Sequence, residues 1–168
     1  MGWGSSAASR FREAQQDIST LQQIALEGRR VVAVNAESMW NKLVAVLESC
    51  TKEFASELPL AKEKDLKAVR SGRDNLTIQT SVYPVLKFEV IFVRDRNLVT
   101  GRITENMSAL SGQRVATLNP IGMTVDRNLQ PFFTDGERYL AAEVLAEELM
   151  ENVLLFFEKA ANVPSFLA

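Results

Sequence analysis

The sequence predicts an α+β fold: a five-stranded antiparallel meander with a long or broken N-terminal helix and a C-terminal helix packed on one face. Three observations carry this. The tetrapeptide Asp-Arg-Asn-Leu occurs twice, at Asp95–Leu98 and Asp126–Leu129, each time between runs of β-branched and aromatic residues. That is the pattern of two hairpin turns. Apolar residues recur at spacings of three and four through most of Ser5 to Glu57, which is the helical period. A second run of that period follows the last strand.

The N-terminal region carries two stripes. Phe11, Ala14, Ile18, Leu21 and Ala25 form one; Ala36, Trp40, Leu43, Leu47, Cys50 and Phe54 form the other. Between them lies Gly28–Asn35, where Gly28 weakens a helix, the valines crowd it, and Asn35 is a possible cap for a second helix. Two helices, or one helix with a phase shift, both fit. An unbroken helix would be roughly 75 Å long, against about 30 Å for a strand of eight or nine residues. It must overhang the sheet, with residues 1–33 as an extending arm. An overhanging amphipathic stripe is most simply covered by a second copy of itself, so a homodimer is expected in that case.

After Pro59 comes the one locally basic segment, with Lys62, Lys64, Lys67, Arg70 and Arg73. It reads as a solvated connection or as a patch facing phosphate or acid. The strands then follow. Leu76, Ile78, Phe88, Val90, Phe92, Ile103, Met123 and Val125 share the apolar side. Thr77, Gln79, Ser81, Tyr83, Lys87, Glu89 and Arg102 fall on the other, with Ile91 and Val93. Pro84 ends the first strand, and Asn119-Pro120 implies an edge or bulge within a fourth strand over Arg114–Val125. Ser111-Gly112 marks a turn before it. Leu129–Phe133 is a short fifth strand. Asn97 and Asn128 are the expected left-handed residues of the two repeated turns, because Asn tolerates that backbone. Thr134-Asp135-Gly136-Glu137 matches a capping box and predicts the start of the last helix. Leu140, Val144, Leu145, Leu149, Val153 and Phe156 supply its apolar face, and Asn162-Val163-Pro164 ends it.

Composition bounds function more than it assigns it. A chain of 168 residues with net charge -2 suits one domain and implies neither an acidic nor a basic partner. There is no histidine, which removes imidazole metal sites and Ser-His-Asp or Cys-His catalysis. One cysteine, Cys50, forms no internal disulfide; on the apolar stripe it reads as a buried inert thiol. No apolar run is long enough to span a bilayer, and no signal-peptide core is present, so a cytoplasmic protein without membrane association is expected. Met1-Gly2 with Ser6 matches a myristoylation pattern beside a bulky Trp3. Asn75-Leu76-Thr77 and Asn106-Met107-Ser108 are sequons that mean nothing without secretion.

No catalytic group, cofactor or metal site is expected. The leading expectation is a non-enzymatic interaction or adaptor module that self-associates through the N-terminal helix. Trp40 is either core or an interface anchor. The second is a nucleic-acid-associated module using Lys62, Lys64, Lys67, Arg70 and Arg73, with Arg96 and Arg127 at the hairpin tips. The sheet's outer face, which also carries Arg102, offers only Tyr83 as a stacking aromatic, which argues against reading bases there. The third is a small-molecule binder or enzyme with a pocket between helix and sheet. A simple up-and-down meander places Arg96 and Arg127 at the same end.

Overall fold

The computed structural model describes residues 3–107 and 112–162, with side chains from Ala7 onward. Helix α1 spans Trp3–Glu57 and α2 spans Pro59–Glu63. Strands β1 Lys67–Arg70, β2 Asn75–Gln79, β3 Val85–Val93, β4 Leu98–Asn106, β5 Gln113–Thr117, β6 Ile121–Val125, β7 Pro131–Thr134 and β8 Tyr139–Leu140 follow. Helix α3, Ala142–Ala161, closes the fold. The α+β class and the antiparallel sheet are as the sequence predicts. The sheet has eight strands, not five, in the order β1-β2-β3-β4-β6-β7-β8 with β5 also paired to β4.

The N-terminal helix is unbroken. Its 55 residues extend about 80 Å at 1.5 Å each. Ala25 and Ala36 are eleven residues apart, close to three full turns, so the two stripes lie nearly on one face. Gly28 and Val32, both buried, carry one into the other. Asn35 caps nothing; its amide donates to the Val31 carbonyl one turn back, at 2.8 Å. Gly28 is explained by packing, since a Cβ there would lie 3.0 Å from Val125 Cγ2. Glycine lets the β6 end approach the helix.

From Gly28 onward α1 faces the body. Val32, Ala36, Trp40, Leu43, Val44 and Leu47 are buried against the sheet and α3. Trp40 is fully buried, stacks on Phe92 at 5.8 Å, and donates its indole N–H to the Arg73 carbonyl at 3.0 Å. Leu145, Ala146, Leu149, Val153, Phe156 and Phe157 of α3 complete the core, with Phe157 against Phe54 of α1 at 5.6 Å.

The added strands arise where the sequence reads otherwise. The basic segment contains β1, an edge strand paired with β2 from Lys67↔Gln79 to Arg70↔Leu76. Charged residues on an edge discourage pairing with other chains, which is why this strand resembles a linker. The expected fourth strand is two. Both pair with the same edge of β4, through Arg102↔Thr117 and Val99↔Ile121. One extra residue falls between these pairs, at Leu118-Asn119-Pro120, so the predicted disturbance is a bulge. The first strand ends at Gln79, leaving Ser81 and Tyr83 in a loop rather than on the sheet, and Thr77 is buried rather than exposed.

The capping box is a correction. Thr134 Oγ1 accepts from Gly136 N–H, and Asp135 Oδ1 accepts from Glu137 and Arg138 N–H at 3.0 and 2.8 Å. These bonds close the β7–β8 hairpin, with Gly136 at φ +101. Leu140 belongs to β8, and α3 begins after Ala141 with no side-chain cap. Val144 is 44% exposed and contributes little to the apolar face. The two repeated tetrapeptides also differ. Asn97 is left-handed as expected, at φ 49, but in the second copy Leu129 takes that role at φ 58. Ser111, the end of the sequon at Ser108, the Met1-Gly2 pattern and the Val163-Pro164 tail lie outside the described residues. Among the described residues no helix is long and apolar enough to cross a membrane.

Candidate functional site: the helical arm and the groove at its root

Residues 8–27 of α1 touch no other element closely enough to be covered; every one is exposed. They form an arm of about 30 Å. Phe11, Ile18 and Leu21 are 66%, 56% and 65% exposed. Together with Ala7, Ala14 and Ala25 they keep alternating spacings of four and three. That is the a/d repeat of a coiled-coil seam. Ile24 flanks the seam at 55% exposure, while Leu26 and Val34 are exposed on another side of the helix. The arm is some six residues shorter than the 1–33 expected, because Gly28 and Val32 already meet the body.

Where the arm joins the body a groove of about 640 Å³ opens. Ile24, Ala25, Gly28 and Val32 form its helical wall, and Met123, Val125 and Leu129 its opposite wall. Arg29, Arg96 and Arg127 stand around it, with Glu27 and Asp126. The two tip arginines are thus brought to one end of the sheet, as the meander requires. Asp126 Oδ1 is engaged by the backbone N–H groups of Asn128 and Gln130 at 2.8 and 2.9 Å, which shapes the loop carrying Arg127. Arg96 is exposed, with its Nε 3.9 Å from Asp95.

The other sequence-predicted residues go elsewhere. Trp40 is core. The segment 62–73 is knitted into the body. Lys64 donates to the Tyr83 carbonyl, Lys67 pairs with Asp65 at 2.9 Å, and Arg70 donates to Asn41 Oδ1 at 2.9 Å. Arg73 pairs with Glu37, and Arg94 with Asp74 at 2.6 Å. The Arg73 and Arg94 guanidiniums hold Glu37 and Asp74, respectively, below the usual carboxylate range. Of these, the Arg70–Asn41 and Arg73–Glu37 contacts fasten β1 and the β1–β2 loop to α1. Lys62 is exposed at the end of α2. Tyr83 is half-buried in its loop, and Arg102 is exposed on β4 opposite Glu89 and Thr117. Cys50 is half-buried, and burial pushes its thiol pKa up, away from the thiolate a nucleophile needs.

A smaller pocket of about 140 Å³ lies between β4, β5 and α3. Its buried carboxylate, Glu105, receives Lys159 at 3.0 and 3.2 Å. Among the described residues no three His, Cys, Asp or Glu side chains come together as a metal-ligand set. A pocket between helix and sheet was among the expectations, but its lining was not legible because its walls come from residues a hundred positions apart. The arm was visible, because its seam is local. No protein-family model matches this chain, and no curated protein or solved structure is similar enough to it to register as a match.

Proposed function

We propose that this chain is a non-enzymatic interaction module that self-associates through its N-terminal arm. The observation that carries this is the exposed seam of Phe11, Ile18 and Leu21 on a helix that outruns its own body. A contiguous apolar stripe of that size on a surface helix marks a contact site. Its alternating spacings of four and three suit a second helix, and a second copy of the arm carries the matching seam. The nucleic-acid reading is less well supported. Four of its five candidate cations in segment 62–73 make local contacts that fix the edge of the sheet.

Sedimentation velocity over about a hundredfold concentration range tests the reading, because self-association is a mass-action effect. The full chain is expected to move from monomer toward dimer, and Leu21→Glu to remain monomeric at every concentration. A monomeric full chain throughout, or a Leu21→Glu variant that still dimerises, overturns it.

A further inference from the structure

We infer that the partner of the arm is a second copy of this chain lying antiparallel, centred on residue 16, with its first turn reaching the groove at the arm's root. The inference rests on the self-association proposed above and adds its orientation and register.

Orientation follows from where the body sits. Val125 already occupies the seam face at Gly28, at 3.0 Å from where a Cβ would stand. A parallel partner would continue along that face past residue 28 and run into β6. An antiparallel partner presents the first described turn of its arm there and keeps its own body at the far end of the pair. The free seam runs from Ala7 to Ala25, so a two-fold axis that uses all of it passes beside residue 16.

That register also matches sizes. In antiparallel pairs each a position meets a d position. Phe11 then faces the partner's Leu21, Ala14 the partner's Ile18, and Ala7 the partner's Ala25. Phe11 and the partner's Leu21 fill the intermediate layers, two alanines meet at each outermost layer, and each Ile18 finds an alanine opposite, so the central layers interdigitate. The flanks bring Gln15 against the partner's Gln15. They also bring Asp17 against the partner's Asp17, an exposed like-charge contact of small cost. The contact covers roughly 1,000 Å² in total, near the lower edge of specific interfaces, which suits a reversible dimer. Residue 4 of the partner then comes level with Gly28, at the mouth of the groove walled by Met123, Val125 and Leu129. The groove would thus lie beside the first described turn of the neighbouring arm.

Disulfide trapping reads the geometry directly. Ala7→Cys and Ala25→Cys are made separately in a Cys50→Ser full-length chain, mixed, and oxidised at a concentration where the parent is dimeric. The expected product is the mixed Ala7→Cys/Ala25→Cys dimer, with little of either symmetric one. In a parallel pair the two cysteines would be about 27 Å apart along the axis and would each link to their own kind. Symmetric products from a sedimenting dimer overturn the antiparallel register while leaving self-association standing. A parent that sediments as a monomer overturns both.

Discussion

Trp40 ties the long helix to the sheet, and its removal sets a quantitative test of the core. Its side chain is fully buried, stacks on Phe92 at 5.8 Å, and donates its indole N–H to the Arg73 carbonyl at 3.0 Å. Truncating a buried aromatic to alanine typically costs about 3–5 kcal/mol. Losing the hydrogen bond adds about 0.5–1.5 kcal/mol, at the lower end because Arg73 is exposed and its carbonyl can find water. The sum for Trp40→Ala is about 3.5–5.5 kcal/mol, a large share of the roughly 5–15 kcal/mol that stabilises a domain. Trp40→Phe keeps a ring against Phe92 and gives up the N–H and part of the volume, so about 1.5–2.5 kcal/mol is expected. Urea unfolding followed by far-ultraviolet circular dichroism measures both. The slope m should stay constant while the midpoint falls, strongly for Ala and modestly for Phe. A loss under about 1 kcal/mol for Trp40→Ala, or equal losses for the two variants, refutes this account of the core.

Two further outcomes follow from local geometry. A Cβ at Gly101 would stand 2.8 Å from Leu118 Cδ1 and 3.1 Å from the buried Phe88 ring, so Gly101→Ala should lower the melting temperature despite alanine's backbone advantage. Adding Leu118→Ala should relieve part of that loss; a Gly101→Ala protein that melts higher contradicts the packing at the bulge. Asp135 is held at about 2 by the backbone N–H groups of Arg138 and Glu137 and by the Arg138 guanidinium, below its unfolded value of about 3.9. A depressed carboxylate stabilises the fold above its unfolded pKa, and that contribution disappears as pH falls from about 4 through 2. Thermal melts of Asp135→Asn should therefore lose less stability over that interval than the parent; equal slopes would show that the β7–β8 turn does not depend on the charge.

Much of the architecture was legible because it is local. Helical period, strand alternation and the Asp-Arg-Asn turns each lie within a dozen residues. What escaped needed tertiary information or an ambiguous signal. Thr134-Asp135-Gly136-Glu137 fits a capping box and an Asx turn equally well, and only the pairing of Phe133 with Leu140 decides for the hairpin. Asp126-Arg127-Asn128-Leu129 repeats the chemistry of Asp95–Leu98, yet its left-handed residue moves by one because β6 and β7 meet in a different register. Gly28 looked like a helix break, and its reason is the approach of Val125. Lys67 to Arg70 looked like a linker because an exposed edge strand is charged for protection. The arm was readable from its seam, whereas the groove needs α1, β6 and both hairpin tips in place before it exists.

The central claim is that a partner copy covers the arm, and amide hydrogen exchange in residues 8–26 tests it most directly. A helix of that length with no tertiary cover is marginal in water and opens readily. The account predicts that protection of these amides rises with protein concentration, while that of residues 36–57 stays constant. Arm amides that exchange at the same rate at every concentration would contradict it.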